Sequence, residues 1–178
     1  QWAGPEGLVV ACDIHLHRLR QFTPPPPRTR VLRVNVDGEK PLPFPAVFDR
    51  ILVDAPCSGT GTLRRNPELK WRLEPSDITS LASTQLRLLK DAATVLKPGG
   101  RMVYSTCSLE REENQGVIES FLKAHTEFRL LPLRDDAARL QPYFLAAAAP
   151  LFDSDYLETS PARDACDGFF AAILVRTA

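Results

Sequence analysis

The sequence lacks the features that mark several large classes of protein. Its 22 basic and 22 acidic residues balance, so the net charge gives no sign of a nucleic-acid partner, and any such contact must be a local patch. No apolar run approaches the roughly 20 residues that span a bilayer, which predicts no membrane segment. No signal peptide is recognisable either, and this favours a cytoplasmic protein.

Metal-binding patterns are also missing. The cysteines form no CxxC pair and no histidine stands at metal-ligand spacing from them, so no metal site is predicted. Their wide spread favours reduced thiols. The four residues are Cys12, Cys57, Cys107 and Cys166. With 178 residues, 44% of them hydrophobic and 25% charged, the chain is predicted to form one domain, 1–178, with a buried core.

Short apolar or β-branched runs alternate with helical patterns along the chain. Strands are predicted at residues 8–12, 30–37, 51–53, 101–107, 128–133 and 169–175. The apolar runs 8–12 and 51–53 predict buried strands. Helices are predicted from about residue 14, from an N-cap at Ser76 to a stop at 98–100, and over 110–123. The proline run 24–27 predicts a stiff loop, and residues 134–166 are predicted to be irregular. The alternation predicts an α/β fold with a mostly parallel sheet covered on both faces.

Ligands of such sheets bind beyond the carboxyl ends of the strands. Here those ends carry Asp13, Asp37, Asp54 and Cys107. Asp13 can accept hydrogen bonds from the ribose of a nucleoside cofactor or cap the following helix, and the two roles can coexist. Asp37 precedes Gly38 and is equally explained by turn chemistry. The clustering of these residues is the first indication of a functional site.

A loop of small residues, Asp-Ala-Pro-Cys-Ser-Gly-Thr-Gly, follows the third predicted strand at 54–61. Pro56 fixes its own backbone angle, while Gly59 and Gly61 permit close approach of the backbone to a ligand. Cys57 is therefore held on a constrained loop at the ligand edge of the sheet. The alternatives are a buried structural thiol, or a phosphate loop, although the lysine of the GxxxxGK[ST] pattern is missing.

A second cysteine, Cys107, ends the fourth predicted strand. Alone, such a residue more often belongs to the core than to a catalytic site. Because Cys57 follows a neighbouring predicted strand, we expect both thiols to face one cleft. Neither has a histidine close in sequence, so a Cys–His hydrolase dyad is poorly supported. Cys12 is predicted to point into the sheet, and Cys166 receives no function.

A basic stretch with one aromatic residue follows the small-residue loop. Its members are Arg64, Arg65, Lys70, Trp71 and Arg72. The cations could meet phosphates, and the indole could stack on a base. The alternative is a solvated loop with Trp71 in the core.

Several motifs in this order resemble the RsmB/Sun-type RNA cytosine-5 methyltransferases. They are DAPCSGTG within 53–72, Pro-Gly-Gly at 98–100, and STCS within 103–114. Asp-Gly-Phe-Phe-Ala at 167–171 resembles the family's terminal motif. The resemblance runs from the first residues to the C-terminus and is weakest over 20–30 and 130–160.

The resemblance implies a class I methyltransferase with a Rossmann-like sheet, S-adenosyl-L-methionine as cofactor and RNA as substrate, ribosomal RNA first and transfer RNA second. It implies that Cys107 adds to carbon 6 of the target cytosine and that Cys57 helps to eliminate the adduct. It also implies that Asp13 binds the cofactor ribose, that Asp37 lies near the adenine, and that Asp54 contacts cofactor and target base.

The sequence departs from the family pattern before residue 1. The family's first strand, the glycine-rich loop that holds the methionine part of the cofactor, and the upstream RNA-binding region are not found. We therefore expect a fragment with an incomplete sheet, which binds the cofactor weakly or not at all by itself. Its oligomeric state is left open.

Two other interpretations remain open. DNA cytosine-5 methyltransferases use a Pro-Cys nucleophile, which Pro56-Cys57 matches, but they lack the partner that Cys107 provides. A catalytically inactive RNA-binding or ribosome-assembly factor is the non-enzymatic alternative, and the presence of both cysteines argues against it.

Overall fold

The computed structural model describes residues 7–21, 30–143 and 150–177. Two compact units make up the chain, Gln1–Pro43 and Phe44–Ala178. Each has its own sheet, of two strands in the first unit and of five in the second. The predicted proline loop at 24–27 lies outside the described residues.

The N-terminal unit contains β1 (Leu8–Asp13), α1 (Leu16–Gln21) and β2 (Arg30–Asn35). The strands pair in parallel from Leu8 opposite Arg30 to Asp13 opposite Asn35, so their carboxyl ends lie at one edge. This confirms both predicted strands, although β2 ends two residues earlier than predicted. The prediction that β1 is buried is wrong, because both strands have partly open faces.

The C-terminal unit holds the larger sheet and most of the helices. Its strands are β3 (Phe48–Asp54), β4 (Leu96–Thr106), β5 (Phe128–Leu131), β6 (Leu157–Thr159) and β7 (Phe169–Arg176). Its helices are α2 (Leu69–Arg72), α3 (Pro75–Val95), α4 (Gln115–Ala124), α5 (Leu133–Leu140) and α6 (Pro161–Asp164), with 3-10 turns at Thr60–Thr62 and Gln141–Tyr143. The strand order is β3-β4-β7-β5, and β6 also pairs with β7.

The direction of the strands corrects one prediction. Strands β3 and β4 are parallel, whereas β7 runs antiparallel to β4, β5 and β6. Among the described strands, two pairings are therefore parallel and three antiparallel, so the sheets are not mostly parallel. The α/β class itself is confirmed. Strand β3 is also less buried than predicted, since it lies at one edge of the sheet and its Leu52 is 68% exposed.

Helices α3 and α4 pack against the sheet through a core that includes Leu89 and Phe121 from the helices and Met102, Tyr104 and Leu174 from the strands. Burial of such side chains contributes roughly 1.5–3 kcal/mol each. The core holds β3 and β4 in place, and these two strands end at the candidate site.

Several further boundaries differ from the prediction, and three of them flank the candidate site or its helices. Helix α3 is capped by Glu74 rather than Ser76, because Pro75 fills the first helical position and the Asp77 carboxylate accepts the Glu74 N–H at 2.9 Å. The helix ends before the Pro-Gly-Gly segment as predicted, but β4 already includes that segment. Helix α4 begins at Gln115 rather than at 110.

The region predicted to be irregular, 134–166, contains most of α5, all of α6 and strand β6, so that prediction is wrong in part. The less exposed face of α5 carries Leu133, Ala137 and Leu140 together with one charged residue. Its Asp136 is buried and forms ion pairs with Arg101 on β4 and with Arg139 one turn later, at 3.1 Å for Arg101.

Candidate active site

Two thiols meet beyond the ends of β3 and β4. Asp54, the last residue of β3, stands opposite Ser105, and the Ala55 N–H donates to the Ser105 carbonyl at 2.9 Å. This places Cys57 beside Cys107, with 3.2 Å between the two sulfurs. Both cysteines are half-buried. The predicted proximity of the two thiols is confirmed.

The loop that carries Cys57 is fixed by backbone hydrogen bonds to two other segments. Gly61 donates its N–H to the Cys107 carbonyl at 2.9 Å, and its own carbonyl accepts from Gly168 at 2.8 Å. A Cβ atom on Gly61 would lie 2.3 Å from the Gly168 oxygen and 2.7 Å from the Cys107 oxygen. Glycine is therefore required here for close approach between protein segments.

A buried carboxyl group lies beneath the two cysteine segments. Glu113 is 0% exposed and accepts hydrogen bonds from the Ser58 N–H at 2.9 Å and from the Ser108 hydroxyl at 2.6 Å. The Ser58 hydroxyl donates to the same carboxyl group. Gln85 of α3 donates to it at 2.9 Å and also to the Pro56 carbonyl at 2.9 Å. The residues that follow both cysteines, together with one helix, thus converge on Glu113.

A second set of contacts fixes the segment after Cys107. The Asn114 amide donates to the Ser108 carbonyl at 2.9 Å and accepts from the Thr106 hydroxyl at 2.6 Å. The Thr60 hydroxyl accepts the Leu109 N–H at 2.9 Å. Sequence reasoning assigned no role to Glu113, Asn114 or Gln85. Glu113 and Asn114 lie within the stretch 103–114 that carries the family resemblance, which could have drawn attention to them; Gln85 lies outside it.

Burial raises the pKa of the Cys57 thiol, and the hydrogen bond with Cys107 raises it further. A thiol in this environment holds its proton at neutral pH, so the Cys57 S–H can donate to the sulfur of Cys107. Burial also raises the pKa of Tyr104, whose hydroxyl donates to the Glu113 carbonyl.

Asp54 is exposed at the end of β3 and accepts a hydrogen bond from the Ser105 hydroxyl at 3.2 Å. Its carboxylate remains available for further contacts from solvent or a ligand. Asp54 also lies in the same unit as the two thiols, at the end of the strand from which the Cys57 loop continues.

The other two candidate carboxylates lie in the N-terminal unit, at the matching ends of its parallel strands. Asp13 ends β1, where its Oδ1 accepts the His15 N–H at 2.6 Å and its carbonyl accepts from the Asn35 amide at 2.8 Å. Asp37 follows β2, and the Glu39 N–H lowers the pKa of its carboxyl group, assisted by Lys40. Asp37 thus has the local turn role weighed from the sequence, whereas Asp13 accepts from His15, the residue before α1, rather than from the first turn of that helix.

These carboxylates suit a nucleoside ligand in their chemistry. Each carboxylate accepts one backbone N–H and lies near one cation, Arg18 at 3.9 Å from Asp13 and Lys40 at 3.1 Å from Asp37. Four lone-pair sites on a carboxylate leave further acceptor capacity, which ribose hydroxyls or an exocyclic amine need. Asp13 lies at the carboxyl end of β1 and Asp37 just beyond that of β2, the edge where open α/β sheets bind ligands.

The basic stretch is divided by the structure. Arg65 forms an ion pair with Asp167 and so joins this stretch to the segment before β7. Lys70 lies 5.5 Å from the centre of the Trp71 ring, and Arg64 and Arg72 are exposed. Trp71 is 83% exposed, so the alternative that placed it in the core is wrong.

The remaining cysteines stand apart from these contacts. Cys12 is exposed, so the expectation that it points into the sheet is wrong, and Cys166 is exposed as well. Within the described ranges, no group of three or more histidine, cysteine or acidic side chains is arranged to hold a metal. No helix in those ranges combines the length and apolarity of a membrane span.

Comparison with known proteins defines the wider class. The crystal structure of NSun6 from Pyrococcus horikoshii with SFG superposes with a TM-score of 0.72 at 26% identity, covering 98% of this chain and 42% of that one. The "Probable ribosomal RNA small subunit methyltransferase B" of Synechocystis is 37% identical over 96% of this chain and 38% of its own length. The "Ribosomal RNA small subunit methyltransferase B" of Thermus thermophilus is 42% identical over 75% and 31%, respectively.

The fold is that of the class I S-adenosylmethionine-dependent methyltransferases. A sequence model described as 16S rRNA methyltransferase RsmB/F matches residues 1–175, and the chain therefore belongs to this family. The family resemblance seen in the motifs is confirmed. The chain spans about a third of the length of the curated relatives named here.

Proposed function

We propose that the protein containing this chain transfers a methyl group from S-adenosyl-L-methionine to carbon 5 of a cytosine in RNA. We propose ribosomal RNA of the small subunit as the first candidate substrate, because the curated relatives are named small-subunit ribosomal RNA methyltransferases. We propose that the protein acts in the cytoplasm. The observation that carries the proposal is the pair of thiols, Cys57 and Cys107, with 3.2 Å between their sulfurs.

Cytosine is a poor nucleophile at carbon 5, and a thiolate that adds to carbon 6 removes that obstacle. In the proposed step the Cys107 sulfur donates an electron pair to carbon 6, and the carbon 5–carbon 6 π electrons move to carbon 5. The cofactor supplies the methyl group that carbon 5 receives. The carbon 5 proton then leaves to solvent, its electrons restore the double bond, and the pair of the carbon–sulfur bond returns to Cys107.

Cys57 has the proposed role of assisting that release. Its raised pKa favours the protonated thiol, which can donate a hydrogen bond to the Cys107 sulfur as the carbon–sulfur bond breaks. A DNA-type mechanism would instead make Cys57 the nucleophile, which requires its thiolate. The raised pKa argues against that assignment.

Asp13, Asp37 and Asp54 are the proposed cofactor contacts. Asp13 would accept from the ribose hydroxyls, Asp37 would lie near the adenine, and Asp54 would contact cofactor and target base. Support comes from their positions at strand ends and from the acceptor capacity that their local hydrogen bonds leave free.

Arg64, Lys70 and Arg72 are the proposed phosphate contacts, and Trp71 offers an exposed ring for stacking on a base. For Arg65 we propose a structural role instead: its charge is engaged by Asp167, and the ion pair joins the basic stretch to the segment before β7. The target base must leave its stack to reach the thiols.

The test is a Cys57→Ala variant of the complete protein that contains this sequence, produced in cells and examined on denaturing gels for an RNA-linked species. If Cys57 assists release, the adduct persists, and sequencing of the attached RNA identifies the substrate. The adduct must disappear when Cys107→Ala is added, while Cys166→Ala serves as a matched control on an exposed thiol. If Cys57→Ala abolishes adduct formation while the single variant Cys107→Ala retains it, the DNA-type assignment gains support. No adduct from either single variant, with the protein folded and cofactor-binding, would favour a non-catalytic RNA-binding factor.

A further inference from the structure

Glu113 occupies an unusual position beneath the thiol pair. It carries an ionisable group yet is fully buried, and burial of such a group is unfavourable unless hydrogen bonds compensate it. The compensating donors come from three separate segments: Ser58, one residue after Cys57; Ser108, one residue after Cys107; and Gln85 of α3.

This arrangement fixes the two cysteine segments relative to each other. A movement of either segment away from Glu113 would remove at least one hydrogen-bond donor from a buried carboxyl group, at a cost comparable with that of breaking a charged hydrogen bond. The contact with Ser58 involves the backbone N–H as well as the hydroxyl, so it constrains the loop itself. Gln85 adds a second restraint by donating to the carbonyl of Pro56.

The turn that carries Glu113 is itself anchored. The Tyr104 hydroxyl donates to the Glu113 carbonyl, and Tyr104 is fully buried in β4. Asn114, the next residue, is bonded to Thr106 and to the Ser108 carbonyl. Glu113 is therefore tied through its backbone to β4, the strand that precedes Cys107, and through its side chain to both cysteine segments.

We propose that Glu113 is a positioning residue that sets the distance between the Cys57 and Cys107 sulfurs. It touches neither sulfur, and acts through Ser58 and Ser108. Its consequence for methyl transfer rests on the proposed function, whereas its effect on the thiol geometry does not.

The geometry separates shape from charge. A glutamine at this position keeps the length of the side chain, and its carbonyl oxygen can still accept from the Ser58 N–H and from Gln85. Its amide can donate to the serine hydroxyls, since a hydroxyl both donates and accepts. An alanine removes every one of these hydrogen bonds, so Glu113→Gln should retain the thiol geometry that Glu113→Ala disrupts.

The first experiment measures thiol proximity without any methyl transfer. Diamide oxidises two neighbouring thiols to a disulfide and is itself reduced to the hydrazine, taking up two electrons and two protons. In the complete protein, the rate of Cys57–Cys107 disulfide formation is followed by peptide mass spectrometry. We expect the rate to fall roughly tenfold or more in Glu113→Ala, because displacement by about 1 Å has large effects on reactions between positioned groups. We expect Glu113→Gln to stay close to the unchanged protein.

Controls keep the result interpretable if Glu113→Ala fails to fold. Ser108→Ala removes one donor to Glu113 and keeps those from Ser58 and Gln85, and we expect an intermediate loss of rate. Glu112→Ala removes a neighbouring exposed carboxylate and should leave the rate unchanged. Folded Glu113→Ala and Ser108→Ala proteins that form the disulfide at the unchanged rate would overturn the proposal.

The second experiment measures methyl transfer to RNA by the same variants. A positioning role lowers kcat in Glu113→Ala and leaves the KM for S-adenosyl-L-methionine unchanged, with Glu113→Gln restoring most of the activity. Equal loss in Glu113→Gln and Glu113→Ala would overturn the shape argument. If the complete protein transfers no methyl group at all, the proposed function fails, while the disulfide rates still decide the role of Glu113.

Discussion

Gly61 and Gly168 approach each other so closely that neither position accommodates a side chain. The Gly168 N–H donates to the Gly61 carbonyl at 2.8 Å, and a Cβ on Gly168 would lie 2.8 Å from the Gly61 Cα. This contact joins the loop that carries Cys57 to the segment that leads into β7. Because Gly61 also donates to the Cys107 carbonyl, three distant parts of the sequence meet at one backbone position.

Gly61→Ala should therefore destabilise the protein by roughly 1–3 kcal/mol, as overpacking does, and should also displace the loop that carries Cys57. Urea denaturation followed by far-UV circular dichroism measures the loss of stability. Gly116→Ala is the comparison variant, because Gly116 lies within a helix, where alanine is favoured over glycine. Its added Cβ would make one tight contact, 3.2 Å from the Arg111 carbonyl, whereas a Cβ on Gly61 would lie 2.3 Å and 2.7 Å from two carbonyl oxygens. Equal stability of Gly61→Ala and the unchanged protein would contradict the close approach.

The raised pKa of Cys57 predicts slow alkylation of this thiol. Iodoacetamide reacts with the thiolate, and burial followed by the hydrogen bond with Cys107 disfavours that form. A raised pKa lowers the thiolate fraction at every pH below that pKa, so the rate of Cys57 labelling should still be rising above pH 9. Quantitative peptide mass spectrometry from pH 6 to 10 measures the profile.

In Cys107→Ala, one of the causes that raise the Cys57 pKa is removed while burial remains. Labelling of Cys57 should then become faster at pH 8, with the profile shifted to lower pH. Cys166 is exposed and provides the internal reference in each sample. If the labelling rate of Cys57 in the unchanged protein reaches its plateau below pH 8, the pKa of this thiol is not raised and the prediction is wrong.

The ion pairs of Asp136 predict a pH-dependent contribution to stability. The Arg139 guanidinium holds the pKa of Asp136 below its usual value, with a further contribution from Arg101, while burial opposes them. A lowered pKa means that the stabilisation is complete above the unfolded value of about 3.9 and is lost as the pH falls through the folded value. Asp136→Asn should lower the free energy of unfolding by roughly 1–3 kcal/mol at pH 7.

That difference should persist at pH 5 and shrink at pH 3, and urea denaturation at the three pH values tests it. Asp135→Asn is the control, since Asp135 is an exposed neighbour in the first turn of α5, and its substitution should change stability by less than about 0.5 kcal/mol. A deficit of Asp136→Asn that grows as the pH falls would contradict the ion-pair interpretation.

The sequence was sufficient to predict the proximity of the two thiols. Parallel strands end at the same edge of a sheet, and Cys57 and Cys107 each follow such a strand, so their meeting depends on local pattern and one pairing. The same argument explains why Asp13 and Asp37 lie at matching strand ends. These features need no knowledge of contacts between distant segments.

The support beneath the thiols could not be predicted in this way. Glu113 was assigned to a helix over 110–123, but residues 111–114 form a turn, and only the folded core shows that its side chain is buried. The ion pair between Arg65 and Asp167 joins positions about a hundred residues apart, which no local pattern indicates. Helix α5 was missed because it is short and because Asp136, a charged residue, takes a buried position on its inner face, which weakens the apolar periodicity; ion pairs with Arg101 and Arg139 compensate that burial.

The surface around Trp71 predicts an RNA-binding effect without a stability effect. Trp71 is 83% exposed, so Trp71→Ala should change the free energy of unfolding by less than about 0.5 kcal/mol. If its ring stacks on a base, the same change should weaken RNA binding by roughly 1–3 kcal/mol. Fluorescence anisotropy with a labelled small-subunit RNA fragment and the complete protein measures the affinity.

The basic neighbours of Trp71 predict a salt-dependent effect instead. If Arg64, Lys70 or Arg72 binds a phosphate, its substitution by alanine should reduce the magnitude of the slope of log K against log salt by about 0.7–0.9. Lys123→Ala removes an exposed charge at the end of α4 and should leave the slope unchanged. Arg65→Ala should instead lower the free energy of unfolding, because it removes the ion pair with Asp167 that joins the basic stretch to the segment before β7. If Arg64→Ala, Lys70→Ala and Arg72→Ala all retain the original slope, RNA binds elsewhere on the protein, and the basic stretch is only a solvated surface.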